Sequence, residues 1–302
     1  MKVLVTGGNG FLGSRLQMAR PDWIYLSVSD YDLTSEDATR QMYSDIRPDA
    51  VLHLAAMVGG IGANINRQAD FFYANTMINT NVVHQAHVHG VDRLLASLST
   101  CAFPDECESY PFSEEDFFLG PPARTNFSYG YTKRSLQVHC LSYREQMGRN
   151  YSAFCPSNLY GPMDSKDLKT SHFVAALATR IARAKSGDSL TLWGTGRPLR
   201  QPLFVDDLVQ IIPILLERHN NSIPLLVVPD ENLSIADMAK IAVGVSGKEI
   251  EISFNQNKEL DGQFRKDGSN KRLMELIPEF KFTSFEDGFA RTYDWVCESD
   301  KK

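Results

Sequence analysis

The chain opens Met1-Lys-Val-Leu-Val-Thr-Gly-Gly-Asn-Gly-Phe-Leu-Gly13, and the reading of this stretch decides the fold class. Met1–Thr6 is apolar and rich in β-branched residues, the composition of a buried strand. Gly7, Gly10 and Gly13 follow at three-residue spacing and run into an amphipathic helix predicted over Phe11–Ala19. Each glycine has a reason in a strand–turn–helix unit. Gly7 permits the tight turn, Gly10 lets backbone amides approach a pyrophosphate, and Gly13 lets the helix lie against the sheet. The helix N-terminus adds free N–H groups and a dipole that favours an anion. A glycine trio alone is a weak signal, but between a first strand and a first helix it reads as a dinucleotide cradle.

Strand and helix signals alternate outward from this unit, as they do in a parallel sheet covered on both faces. Strands are predicted at Asp22–Val28, Ala50–Leu54, Arg93–Leu98, Tyr151–Cys155 and Pro224–Val228. Helices are predicted from Leu33, over Gln68–His89, Tyr129–Met147, Ser171–Ala184 and Asp206–Leu216, with a short Leu190–Trp193 strand and a turn at Gly194–Pro198. The expected fold is α/β, a Rossmann-type doubly wound parallel sheet with a smaller mixed α/β substrate domain. The nucleotide domain is expected over residues 1–165 and about 206–230, the smaller one over about 166–205 and 231–302.

Composition narrows the function. The 302 residues, 43% hydrophobic and 23% charged, suffice for a large core. A net charge of −6 argues against nucleic-acid binding, which needs a clustered basic surface. No apolar run approaches the roughly 18 residues of a membrane span. No basic and apolar leader is visible at the N-terminus, so a cytoplasmic location is expected. The five cysteines form no CxxC pair and no metal-ligand spacing, so no metal is expected and the thiols read as reduced. Cys140 and Cys155 fall at apolar periodic positions and are expected to be buried. Cys107 and Cys297 lie in acidic segments and are expected to be exposed.

At the end of the second strand the sequence reads Ser27-Val-Ser-Asp-Tyr-Asp-Leu33. An acid there favours a free ribose 2′-hydroxyl, and a basic residue favours a 2′-phosphate. Asp30 and Asp32 are present, Asp30 being either a ribose ligand or a turn cap, and Arg15 is the one nearby cation. On these residues NAD(H) and NADP(H) both stay open.

Tyr129-Gly-Tyr-Thr-Lys133 sets Tyr129 and Lys133 one helical turn apart on one face. A lysine ammonium beside a phenol is expected to lower the phenol pKa, so that Tyr129 exchanges a proton with a carbonyl oxygen. Ser99, at the end of the Arg93–Leu98 strand, can donate a hydrogen bond to the same oxygen. A bare Tyr-x-x-x-Lys carries almost no weight; with the glycine cradle and Ser99 it describes a ketone reductase.

These motifs resemble the extended short-chain dehydrogenase/reductases that act on nucleotide sugars, and more narrowly the GDP-L-fucose synthase family. The resemblance rests on Thr6–Gly13, His53-Leu-Ala-Ala-Met-Val-Gly-Gly60, Leu98-Ser-Thr-Cys-Ala-Phe-Pro104 and Tyr129-x-x-x-Lys133. It continues through Pro156-Ser-Asn-Leu-Tyr-Gly-Pro162, Ser171-His172 and Trp193-Gly-Thr-Gly-Arg-Pro-Leu-Arg200. Asp261-Gly-Gln-Phe-Arg-Lys266 and Pro278-Glu-Phe-Lys-Phe-Thr283 carry it nearly to the C-terminus. The resemblance implies C3 and C5 epimerisation of GDP-4-keto-6-deoxy-D-mannose and reduction at C4 by NADPH, in a homodimer paired through the helices Ala74–His89 and Tyr131–Met147. Rival readings are an epimerase/reductase of a related sugar such as a heptose, a simple 4-ketoreductase, and a cofactor-sensing protein without turnover.

By the same resemblance, Ser99, Tyr129 and Lys133 are the reductase set, Cys101 is the base that removes protons next to the ketone, and His172 is the acid on the opposite face. A thiol can be pushed toward thiolate by cations, and histidine titrates near neutrality. Taken alone, an isolated cysteine is as often a small buried apolar residue. The implied cofactor contacts are Gly7, Gly10, Phe11, Leu12, Gly13, Asp30, Leu54, Ala55, Ala56, Tyr129, Lys133, Pro156, Asn158, Leu159 and His172. The implied substrate contacts are Asn158, Arg180, Trp193, Arg200 and Lys266, since arginine can grip phosphate with paired donors and tryptophan can pack against a ring. Two departures stand out. Gln201-Pro202 follows Arg200 where relatives carry an acid or Gln and then Phe, and Ser269 stands where some carry Asp.

Overall fold

The alternation of apolar strand residues determines what covers the sheet. Along Val3–Thr6 (β1), Leu4 packs to one face with Met42, Val82, Val83 and Leu136, while Val3 and Val5 pack to the other with Leu12, Leu16, Leu208 and Ile212. Strands buried on both faces are a property of parallel sheets flanked by helices. The computed structural model describes residues 1–59, 61–168 and 171–300. Gly60, the end of the quoted His53–Gly60 motif, lies outside them.

After β1 come Phe11–Ala19 (α1), Ile24–Leu26 (β2), Glu36–Ile46 (α2), Ala50–His53 (β3), Ile61–Asn66 (α3), Gln68–Val88 (α4) and Arg93–Ser97 (β4). Phe127–Met147 (α5), Asn150–Pro156 (β5), Asn158–Tyr160 (β6) and Phe173–Arg183 (α6) follow. Ser189–Leu192 (β7), Leu199–Arg200 (β8), Pro202–Phe204 (β9), Val205–Arg218 (α7) and Leu225–Val227 (β10) lead to the last segment. That segment holds Leu233–Ser234 (β11), Ile235–Ser246 (α8), Glu251–Phe254 (β12), Lys271–Leu276 (α9) and Phe285–Ser299 (α10). Six strands form one parallel sheet in the order β10-β5-β4-β3-β1-β2. The order reverses between β1 and β3, the switch point where open α/β sheets bind ligands at their C-terminal edge.

Three apolar cores result. One lies under α2, α4 and α5, and the second under α1 and α7. The third joins α6, α8 and α10 through Leu177, Met238, Phe285 and Phe289. Leu273 and Ile277 pack in the second core, so α9 belongs with the main sheet and not with the third core. Ser35 caps α2, accepting from the Ala38 N–H at 3.3 Å, with Glu36 and Asp37 in the first turn, as the sequence predicts. The short β6, β8, β9 and β11 and the α3 turn have no sequence signal, because two- and three-residue pairings carry no periodicity.

Candidate active site

The glycine cradle is held open by contact geometry. Gly7 takes φ +75°, and a Cβ there would lie 2.9 Å from the Ala55 N; at Gly13 it would lie 2.4 Å from the Gly7 carbonyl oxygen. No side chain caps the α1 N-terminus, whose N-cap residue is Gly10, so its first-turn N–H groups face the turn uncapped. This fits a dinucleotide pyrophosphate. Phe11 and Leu12 begin α1, while Leu54, Ala55 and Ala56 follow β3 directly across the switch point.

Beneath the cradle runs a polar relay that the sequence reading did not single out. Thr6 Oγ1 lies 2.8 Å from His53 Nδ1 and accepts from the Ala55 N–H at 3.2 Å. His53 Nε2 lies 3.1 Å from Asn79 Oδ1, and Asn79 donates to the Thr132 carbonyl at 3.3 Å. The relay ties β1, β3, α4 and α5 together one residue from Lys133. Burial, with the Lys133 charge adding to it, pushes His53 down to about 3. Its only advance signal was a histidine inside an otherwise apolar strand.

At the ribose end the charges are already engaged. Asp30 accepts from the Ser27 N–H at 2.8 Å and from Ser27 Oγ at 2.9 Å, and those bonds lower its pKa. Asp32 caps the turn by accepting from Thr34 N and Oγ1. Arg15 forms an ion pair with Asp206 of α7 at 2.6 Å.

The β4 strand delivers Ser99 and Cys101 on a short 3₁₀ turn, Thr100–Ala102. Ser99 Oγ accepts from the Cys101 N–H at 3.2 Å. The helix α5 can lie against this turn because residue 130 is glycine: a Cβ there would meet the Cys101 carbonyl oxygen at 2.7 Å. That approach sets Tyr129 beside Cys101, whose charge, after burial, is the next cause of the raised Tyr129 pKa.

Lys133 departs from the expectation. Its Nζ donates to the Ser97 carbonyl at 2.7 Å and stands 5.7 Å from the Tyr129 ring centroid. Burial lowers Lys133 to about 8, while burial, then Cys101, then Cys155 drive Tyr129 upward. The predicted lowering of the phenol by Lys133 is therefore reversed in this structure, because desolvation outweighs an ammonium turned toward the backbone.

Cys101 has the opposite balance. Burial alone would raise the thiol, but the charge and hydrogen bond of Lys266, then Ser99, then Arg200, bring it below the ordinary thiol value. Lys266 Nζ lies 2.9 Å from Cys101 Sγ. Arg200 donates to the Leu199 carbonyl at 2.7 Å and the Asp261 carbonyl at 3.3 Å. Asp261 also accepts from Thr195 N at 2.7 Å and Oγ1 at 2.8 Å, so it links the turn after Trp193 to Arg200. Gln201 explains one departure: buried, it donates to the Pro229 and Gly268 carbonyls and accepts from the Gly268 N–H.

The remaining residues enter from other elements. Pro156 ends β5, and Asn158 and Leu159 lie on β6. His172 is the exposed N-cap of α6, and its charge is felt by the buried Asp164 carboxylate, which burial raises. Arg180 donates to the Thr191 carbonyl at 2.9 Å, and Trp193 is 74% exposed. Cys140 and Cys155 are buried as expected; Cys107 and Cys297 are only partly exposed. Cys107 packs against the first core and accompanies Tyr110 there, which its acidic neighbours conceal.

Comparison with known proteins gives the family. Residues 3–227 match the model of the NAD dependent epimerase/dehydratase family. A GDP-L-fucose synthase of Dictyostelium discoideum is 33% identical over 98% of this chain and 95% of its own length. The crystal structure of a GDP-L-fucose synthetase from Naegleria fowleri bound to NADP superposes with a TM-score of 0.89 at 31% identity, covering 99% of this chain and 93% of that one. A Campylobacter jejuni GDP-6-OMe-4-keto-L-xylo-heptose reductase superposes as well, with a TM-score of 0.91 over 100% and 98% of the two chains. At 22% identity it shows the fold alone. The chain belongs to the NAD dependent epimerase/dehydratase family and, within it, to the GDP-L-fucose synthases.

Proposed function

We propose that this chain converts GDP-4-keto-6-deoxy-D-mannose to GDP-L-fucose by epimerisation at C3 and C5 followed by NADPH-dependent reduction at C4. The observation that carries this reading is the Cys101 thiol, held by Lys266 at 2.9 Å beside Ser99 and Tyr129. A simple ketone reduction has no use for a thiolate in that place.

C3 and C5 flank the C4 ketone, so their protons are acidic. The Cys101 thiolate removes such a proton, and Ser99 and Tyr129 hydroxyls stabilise the charge that develops on the C4 oxygen. His172 returns a proton from the opposite face. The reduced nicotinamide, when bound, supplies the hydride for C4. Tyr129 then gives its proton to the C4 oxygen, a task suited to a phenol that burial keeps protonated. Arg180 and Arg200 serve the diphosphate, and Trp193 and Asn158 the nucleoside and sugar. Gly7, Gly10, Phe11, Leu12, Gly13, Leu54, Ala55 and Ala56 line the cofactor, with Pro156 and Leu159 at the nicotinamide end.

The first two apolar cores support a nucleotide domain over 1–165 and about 206–230 that also takes in α9, and the third supports a substrate domain. The outer faces of α4 and α5 expose Phe72, Tyr73, Tyr131 and Val138, a surface suited to pairing with a second copy. Among the described residues no helix is long and apolar enough to cross a membrane. The free thiols support action in a reducing, cytoplasm-like compartment.

Incubation with GDP-4-keto-6-deoxy-D-mannose and NADPH in heavy water tests the proposal. The expected product is GDP-L-fucose carrying deuterium at C3 and C5, read by NMR. An unepimerised 6-deoxyhexose without deuterium would reduce the chain to a 4-ketoreductase.

A further inference from the structure

We propose that Lys266 is a positioning residue that holds the Cys101 sulfur as a thiolate through direct ammonium contact, arming it for proton abstraction independently of the reductase set. The proposal rests on the reading of Cys101 as the epimerisation base, and it moves Lys266 from the substrate to the base.

Lys266 is 6% exposed, and a buried ammonium needs a counter-charge. The carboxylates around it serve other groups. Asp267 is bidentate on Arg265, at 2.6 and 2.9 Å, and Asp261 holds Thr195. Asp105 feels the Lys266 charge, but burial and Glu106 raise its pKa. The sulfur at 2.9 Å is the contact the ammonium makes.

The loop that carries Lys266 is fastened on three sides. Gln263 donates to the Pro104 and Asp105 carbonyls at 3.0 and 2.9 Å, tying it to the segment just after Cys101. Phe112 N donates to the Asp267 carbonyl at 3.0 Å, and Ser269 N to the Phe112 carbonyl at 2.7 Å. Gln201, the residue between β8 and β9, grips Gly268. An ammonium so placed loses little entropy in forming its contact.

The other groups that face the sulfur do not compete for the charge. Arg200 is a second cation acting in the same sense. Tyr129 and Cys155 are both raised by burial and stay neutral. Ser99 adds a hydrogen bond.

The pH dependence of iodoacetamide alkylation at Cys101, followed by mass spectrometry without substrate, tests the contact. Lys266→Met should move the midpoint up by at least one pH unit, slowing alkylation at pH 7 about tenfold, and Lys266→Arg should keep it near wild type. An unmoved midpoint in folded Lys266→Met overturns the proposal. Should that variant not fold, thiolate absorbance near 240 nm in the wild type, less that of Cys101→Ala, decides. A midpoint below the usual value of about 8.5 supports the ion pair, and one at or above it overturns the proposal. Deuterium entry at C3 then separates the two readings. A parallel tenfold loss, recovered at higher pH, supports both. A shifted midpoint with unchanged deuterium entry upholds the pair and overturns the assignment of Cys101 as base.

Discussion

Two lysines in this site stand near two weak acids, with opposite results. Lys266 touches Cys101, and the thiol falls below its ordinary value despite burial. Lys133 turns to the Ser97 carbonyl, and Tyr129 rises. Both pairs are a cation and a titratable group, so residue identity cannot account for the difference. Contact geometry decides whether the neighbouring charge or the loss of solvent wins. In the proposed mechanism one pair serves as base and the other as acid, which is what proton removal beside a ketone and proton delivery to its oxygen require of one site.

Breaking each half separately gives the largest effects. Tyr129→Phe removes the proton donor and should cut the rate of C4 reduction by about 10³-fold, within the usual range for a general acid. Deuterium from heavy water should still enter C3, more slowly than in wild type, since the thiol is untouched and Ser99 still serves the C4 oxygen. Cys101→Ser should do the reverse, lowering deuterium entry by at least about 10²-fold while direct reduction of the unepimerised ketone persists. NMR of the sugar and NADPH absorbance read both quantities in one experiment. Equal loss of both activities in both variants would dissolve the contrast into a single shared role.

Much of this was legible from sequence because it lies in local pattern. The glycine spacing and the apolar strands carry the fold, and Tyr129 and Lys133 stand out once their helical spacing is joined to the glycine cradle and Ser99. The Lys266 contact was not legible: 165 residues separate it from Cys101, and it depends on the buried hydrogen bonds of Gln201 and Gln263, which no local pattern announces. Gly130 lets α5 reach the Cys101 turn, a contact that nothing in its local sequence marks. The direction of the Tyr129 shift was missed for a related reason. Spacing sets Lys133 near Tyr129 but does not say which acceptor the ammonium faces.

The desolvation on the Lys133 side can be measured through stability. His53 stays neutral in the folded protein down to about 3, while the unfolded chain takes up a proton near 6.5. Between those values the unfolded state binds more protons, so stability rises with pH and is lost on acidification through that window. At pH 5 the His53 share is about 2 kcal/mol, some 30-fold in the folding equilibrium. His53→Gln should be less stable than wild type at pH 7 and lose less between pH 7 and pH 5 in urea unfolding. An unchanged pH slope would mean that another group titrates there and that the relay is more hydrated than its geometry implies.

The smallest effect extends the contrast to the cofactor, because the adenosine ribose end again has charges that are present but engaged. Arg15 is paired with Asp206, and Asp30 is bonded to Ser27. Arg15 is not a free partner for a 2′-phosphate, and Asp30, an acid, would repel one, so the wild type should prefer NADPH over NADH only modestly. Ser29 shares this turn, with its hydroxyl 2.7 Å from Ser27 Oγ. Ser29→Arg would introduce an uncommitted guanidinium able to grip the phosphate with two donors. The ratio of kcat/KM for NADPH to that for NADH should then rise about tenfold, equivalent to about 1.4 kcal/mol. Asp206→Asn should raise the same ratio by a smaller factor, since it releases Arg15 from its partner without adding a charge. If Asp206→Asn leaves the ratio unchanged while Ser29→Arg raises it, Arg15 is out of reach of the ribose. If neither moves it, the 2′-phosphate is held by other groups and the paired charges at this end have no part in cofactor choice.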